Sequence, residues 1–551
     1  MKNMNACKET IFKGNVADVV ARKFFYGEIL VKDGKIAEIK ECGPAQPGEP
    51  FYIPGFVDAH VHIESSMMIP AEFARVAMRF GTVGAVCDPH EIANVLGKKG
   101  IDFMLDNASG SPFCFCFGCP SCVPSCGGGI ETAGAVLDSA DVAEIMARKE
   151  IYALAEMMNF PGVLNGDSEV MAKLAAAVKT GKPVDGHAPG LVGEDRKRYA
   201  QAGISTDHEC VSIEDGRECV KNGMFLLIRE GSAARNYEML SPIIAENPEL
   251  CMFCTDDCHP SDMVNGHINR LVSLSLGHGF DVFDVLRAAS YNPVKHYNMP
   301  IGLLQVGDSA DFIKVDGLHA GFKVLETYIA GENVTDCPYD GSPEVLPNVF
   351  AAGEISEKDL DLGLKGGDRV AVIGAEDKTL FTEHLEYVLE SNSDGSAKMP
   401  EGVNKIVVYN RYEPGIKPSV ALIKGFGLKD GAMAVTVAHD CHNIIAVGSD
   451  DRNLTKAVNA VVRMRGGACA LCGDETVELP LPVAGIMSAE PADTVAEKSS
   501  KLDEMARKAG CSFNSPFITM SFMALPVIPT LKLTDKGLFD GSKFSFCDIR
   551  L

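Results

Sequence analysis

From Phe56 to about Pro300 the chain repeats one rhythm eight times: a short apolar run, a polar loop, then an amphipathic stretch of helical period. The apolar runs end at VDAHVH (57–62), TVGAVCDPHE (82–91), FCFCFGCPSC (113–122), YALAEMMN (152–159), PVDGHA (183–188), ISTDHE (204–209), MFLLIRE (224–230) and CMFCTDD (251–257). Between them lie helix-like segments such as AEFARVAMRFG, SEVMAKLAAAVKTG and GEDRKRYAQAG, several closing on the glycine that a helix C-terminus favours. Eight βα units over this length predict an α/β fold built on a (β/α)8 barrel, in which functional groups stand at the C-terminal ends of the strands.

The polar residues fall at those ends. His60 and His62 follow the first run, His90 and Glu91 the second, Glu156 and Asn159 the fourth, His187 the fifth, His208 and Glu209 the sixth, Asp256 and Asp257 the eighth. Side chains alternate along a strand, so His60 and His62 project from one face and can grip a single ion. Any one of these residues alone reads better as a loop residue or a helix cap. Taken jointly, four of these histidines with one glutamate and one aspartate make an N/O donor set suited to two divalent transition ions, with a carboxylate able to bridge them.

The bulk properties narrow the partners. A chain of 551 residues is too long for one core and predicts two or three domains. With 51 Lys plus Arg against 75 Asp plus Glu, the net charge of −24 disfavours nucleic acid and an anionic membrane, and leaves a small neutral or cationic substrate. The start MKNMNACKET has no apolar core of the signal-peptide kind, and no later apolar run is long enough for a bilayer. Nineteen cysteines without an export signal read as reduced thiols, so a cytoplasmic protein is expected.

Two competing metal motifs fall short. Cys114, Cys116, Cys119, Cys122 and Cys126 invite a zinc or iron–sulfur reading, but the first two alternate with Phe along a strand and Pro120 and Pro124 break the loop, so no cluster is expected. His62 and Glu64 satisfy the first half of the zinc deaminase pattern, yet CPSC lacks the proline its second half requires.

The flanks read separately. EILVKDGKIAEIKE alternates and turns at Asp33 and Gly34, a β-hairpin, and GLLQVGDSADFIKVDG with VLETYIAGENV supplies matching strands after the barrel. Beyond them, NKIVVYNRY, HNIIAVG and the helical DRNLTKAVNAVVRM indicate an α+β domain. His439, Asp440 and His442 in it are compatible with a further metal site or a substrate entrance, with a structural role preferred. The expected division is residues 1–54 and 301–345 for a small β-sandwich, 55–300 for the barrel and 346–551 for the C-terminal domain.

At this point the motifs PGFVDAHVHIESSMM, VCDPHEIANVLG, SCVPS with ETAGA, AEMMNFPGVLNGD, DGHAPGL, TDHE and CTDDCHP resemble the bacterial-type adenine deaminase family of the amidohydrolase superfamily. The resemblance continues through KPSVALIKGFG, VAHDCHNIIAVG and MALPVIPTLKLTDKGL, and so covers nearly the whole chain. It implies His60, His62, Glu156, His187, His208 and Asp256 as metal ligands, Glu156 standing where many relatives carry a bridging lysine. It also implies two divalent ions, manganese or iron favoured and zinc allowed, and hydrolysis of adenine to hypoxanthine and ammonia. A homo-oligomer is expected, its size left open.

Such a deamination needs an activated water and a proton for the ring nitrogen. Asp256 is placed to carry a proton to the departing ammonia, and Glu156 is the candidate ring acid if it is not tied up as a bridge, with Glu91 and Glu209 as alternatives. His90, Glu91, Asn159, Glu209 and Asp257 are candidate substrate contacts. Neither GCPSC nor CGGG precedes a Lys-Ser or Lys-Thr pair, so a phosphate loop is absent and the free base is expected over adenosine or adenylate. The alternatives are an amidohydrolase for another cyclic amidine, amide or lactam, and a non-catalytic relative, which loss of ligands would mark.

Overall fold

The computed structural model describes residues 9–126, 129–232, 234–337, 341–377, 379–393 and 395–551. Most of the N-terminal MKNMNACKET stretch and two glycines of CGGG lie outside the described residues. Parallel strands form where the apolar runs predict them: Phe56–Val61, Thr82–Cys87, Cys114–Cys119, Ile151–Met157, Val184–Gly186, Thr206–Asp207, Phe225–Arg229 and Cys251–Cys254. The first five make one sheet and the last three another. Parallel bridges Val184–Ile204 and Val61–Asp256 join them at both seams and close the ring. The third run extends in sequence to Cys122, but pairing stops at Cys119, because Pro120 has no N–H to offer a neighbour.

The connecting helices follow their amphipathic pattern and their caps. Pro70–Arg79, Ser168–Thr180 and Gly193–Gln201 occupy the segments expected of them. Asp167 starts the second by accepting from the N–H groups of Glu169 and Val170 at 3.0 Å each. Gly181 ends it at φ 69°, a left-handed turn open to glycine without cost. In the third helix Arg196 is fully buried: it donates to Asp207 and Asp215 at 2.6 Å each and to the Leu191 carbonyl at 2.7 Å. Asp207 precedes His208, so this ion-paired arginine fixes the end of the sixth strand.

The two chain segments flanking the barrel meet in one seven-stranded sheet, with Phe51–Pro54 paired to both Glu9–Asp18 and Phe312–Val315. The predicted hairpin is present, Lys32 opposite Lys35, with Asp33 and Gly34 at φ 50° and 78° as a two-residue turn requires. A Cβ on Gly34 would lie 3.2 Å from the Ala330 carbonyl, so the hairpin turns from the two flanks touch and the sheet closes over a core that includes Phe12, Ile29, Tyr52 and Phe312.

The C-terminal region is a mainly antiparallel eight-stranded sheet in the order Thr382–Val388, Arg369–Ala375, Ser419–Lys424, Val403–Tyr409, Ile444–Gly448, Ala432–Val435, Gly467–Cys472, Glu475–Pro480. Helices Asp451–Met464 and Ala492–Lys508 pack on it. It sits over the C-terminal rim of the barrel. Ser488 donates to the Met67 carbonyl at 2.8 Å, Thr132 donates its N–H to Asp535 at 2.9 Å, and Asn443 donates to the Thr132 carbonyl at 2.9 Å. Among the described residues no helix is long and apolar enough to cross a membrane.

Removing the buried guanidinium leaves Asp207 without its partner in a dry site. Arg196→Ala should therefore destabilise the fold by about 3–5 kcal/mol, read as a lower denaturant midpoint. The exposed Lys197→Ala on the same helix serves as the control and should leave the midpoint in place.

Candidate metal centre and active site

Glu156, at the end of the fourth strand and 3% exposed, is the hub of the rim. Its Oε1 lies 3.3 Å from His62 Nε2 and 3.4 Å from His90 Nδ1; its Oε2 lies 2.7 Å from His187 Nδ1 and 3.3 Å from His208 Nε2. Asp256 completes the ring, its Oδ1 3.2 Å from His62 Nε2 and 3.6 Å from His60 Nε2. Asp256 adopts φ 54°, unusual for a non-glycine residue, and its backbone is tied to the first strand through an N–H donated to the His60 carbonyl at 2.9 Å. The extended backbone continues through His62, so the alternation that points His60 and His62 the same way is retained, and their rings meet edge-on at 4.8 Å.

The surroundings orient these groups. His62 Nδ1 lies 3.1 Å from the Asp88 carbonyl, which selects the tautomer that leaves Nε2 free for an ion. Arg229, from the end of the seventh strand, donates to both Asp256 and Glu209. The cysteine-rich loop serves Glu156: Ser121 donates its hydroxyl to the Glu156 carbonyl, and buried Lys173 holds the loop by donating to the Ser121 and Leu137 carbonyls at 2.9 and 2.8 Å.

Charge in this rim is out of balance without a cation. Burial pushes Glu156 and Asp256 up, but His187 and the other imidazoles around the first, and Arg229 with His60 and His62 beside the second, hold both well below the usual carboxylate range. Burial opposes protonation of His62, yet the hydrogen bonds that Asp256 and Glu156 accept from it lift it well above its ordinary value. Divalent ions would take the place of those protons. The donors also group as ligands do: His60, His208 and Asp256 converge within 4.8 Å, as do Glu156, His187 and His208, and as do His62, Asp88, His90 and Glu156. His60 Nε2, His90 Nδ1 and Asp88 Oδ2 are buried without a well-aligned hydrogen bond, the last two 3.1 Å apart. The residues present fit a metal.

Comparison with known proteins agrees. Residues 51–334 match the amidohydrolase family and residues 379–545 the adenine deaminase C-terminal domain. A Parabacteroides distasonis protein named adenine deaminase is 46% identical over 99% of this chain and 100% of its own length. Adenine deaminases of Sulfurovum sp. and Salinibacter ruber are each 48% identical over 97% of this chain, covering 99% and 98% of their own. The chain belongs to the adenine deaminase family of amidohydrolases. Amidohydrolases are metal-dependent, and the buried cluster is where this adenine deaminase chain can hold its metal.

The other expected contacts are distributed unevenly in this member of the adenine deaminase family. Glu209 stands beside His208 at 3.4 Å and accepts from Arg229 at 2.6 Å. Asp257 accepts from Ser65 at 2.6 Å and lines a cleft of about 330 Å³ between the barrel rim and the C-terminal domain. His90 is drawn into the ligand cluster itself, 3.1 Å from Asp88. Asn159 is spent locally, its side-chain oxygen capping helix Phe160–Asn165 by accepting from Gly162 N–H at 2.9 Å. Glu91 is 1% exposed, and its two oxygens meet His439 and His442 of the C-terminal domain. The structural role preferred for those two histidines therefore gives way to a place at the rim. Asp88 and Arg229 were missed. Each sits inside a quoted motif, DPHE and LLIRE, where it reads as a turn residue and a strand end.

Chelator-treated protein should gain thermal stability when a divalent ion is added, since binding to the folded state alone raises its midpoint with ion concentration. Glu156→Gln, which keeps the shape but loses the shared charge, should fold and show little of that gain.

Proposed function

We propose that the protein hydrolyses adenine to hypoxanthine and ammonia, in purine salvage. The observation that carries the reading is the gathering of His60, His62, His187, His208, Glu156 and Asp256 on one buried rim beside a covered cleft. The choice of adenine rests on the relatives that bear the name. The donor set suits two ions: His60, His62 and Asp256 for one, His187 and His208 for the other, with Glu156 shared. Its carboxylate share favours manganese or iron over zinc. When bound, such ions lower the pKa of a water so that it can attack at neutral pH.

The chain's own groups supply the proton traffic. Asp256, kept ionised by Arg229, accepts a proton from the attacking water and delivers it to the departing amine. Glu156, given over to the ions as a carboxylate, would have no proton to spare, so the proton for the ring nitrogen would come from Glu209, which stands 3.4 Å from His208, or from Glu91. Asp257, which lines the cleft, together with His90 and Glu209 at the rim, would orient the base. A cytoplasmic homo-oligomer acting on a small neutral base fits the net charge of −24, which disfavours anionic nucleotides.

Asp256→Asn should fold but lose at least ~100-fold in turnover, the scale of one general acid–base group, because an amide cannot relay the proton. Near-native turnover would assign the relay to another group. Steady-state kinetics should give a kcat/KM for adenine far above those for adenosine and adenylate. Equal values would move the protein to a broader amidohydrolase class.

A further inference from the structure

The loop between strands Ala432–Val435 and Ile444–Gly448 reaches from the C-terminal domain to the barrel rim and places two histidines on one barrel carboxylate. His442 Nε2 lies 2.5 Å from Glu91 Oε2. Its Nδ1 accepts the Ala438 N–H at 3.2 Å, so the proton is on Nε2 and His442 donates to Glu91 as a neutral ring. His439 Nδ1 meets the other oxygen of Glu91. The His439 ring also lies flat on Phe522, at 4.3 Å and 11°. Its orientation is thus set from two sides, and Nε2 is its one uncommitted polar atom.

His439 lines the cleft of about 330 Å³. On the barrel side of that cleft stand Ser65 and Asp257, next in sequence to the ligand Asp256; on the other side stand Val437, Phe517 and Phe522 of the C-terminal domain. An apolar wall facing a few fixed polar groups suits a flat heteroaromatic ring. Burial disfavours charge on His439, but the Glu91 carboxylate lifts it to about 9, so at neutral pH both ring nitrogens are donors.

We propose that His439 is a substrate-binding residue, its Nε2–H donating to an acceptor nitrogen of a free purine base, with Glu91 and His442 as the positioning residues that aim it. The inference rests on adenine being the substrate. It gives the C-terminal domain a task in recognition: without it the cleft has no far wall and the purine loses one hydrogen bond and its apolar face.

The test uses the full-length, metal-loaded protein. His439→Phe keeps a ring against Phe522 and removes the donor; it should retain its metal content and raise KM for adenine about tenfold or more, with a smaller fall in kcat, as expected for loss of a charged hydrogen bond to bound substrate. His439→Gln, which restores a donor, should recover part of that loss. Glu91→Gln should raise KM by a smaller factor. Among deaza analogues of adenine, each with one ring nitrogen replaced by C–H, one should bind the wild type weakly yet be indistinguishable from adenine in His439→Phe. A purely structural histidine would not produce that coupling. Unchanged KM in a folded, metal-replete His439→Phe, or in His439→Leu should the first variant not fold, would overturn the assignment alone. A wild type that leaves adenine untouched would overturn it together with the functional reading.

Discussion

Everything at the rim is arranged around one buried carboxylate. Glu156 has four imidazoles within 3.4 Å, drawn from the ends of the first, second, fifth and sixth strands. Such a group of ionisable side chains is costly to bury unless charge and hydrogen bonding are both satisfied. The parallel ring places the groups, because it brings the C-terminal ends of distant strands together. A metal held by this cluster would satisfy the charge. The support behind these residues has the same logic: Arg229 holds Asp256, the Asp88 carbonyl holds His62, and Lys173 pins the loop that holds the Glu156 backbone.

The C-terminal sheet closes what the barrel leaves open. Ser488 donates to the Met67 carbonyl, Asp535 accepts from the loop at Thr132, and His439 with His442 grips Glu91. These contacts come from different parts of the domain and land on different barrel loops. A cover held at several points excludes water from the cleft more reliably than a single lid, and exclusion of water strengthens the electrostatics on which metal-assisted hydrolysis depends.

Much of this was legible in the sequence where the signal is local. The helix read from DRNLTKAVNAVVRM is Asp451–Met464, since its amphipathic period and the capping Asp450 lie within the segment itself. The Asp33–Gly34 turn and the eight apolar runs are local in the same sense, and strand ends locate the ligands because barrel geometry does the rest. What failed to show was pairing at a distance. Nothing near Glu91 announces His439 and His442, which lie 348 and 351 positions away. Arg229 looks like the polar end of a strand until Glu209 and Asp256 are seen on either side of it. Asn159 carries the opposite lesson: a polar residue just past a strand end was spent as a helix cap, the reading that any single residue of this kind deserves first.

The proposed chemistry rests on two ions sharing Glu156. It is tested most directly by titrating metal-free protein with manganese while following both bound metal and ammonia release from adenine. Activity should climb until two equivalents per chain are bound and stop there, with Glu156→Gln holding neither ion firmly. Full activity at one equivalent, or two ions retained by the Glu156 variant with wild-type affinity, would contradict it.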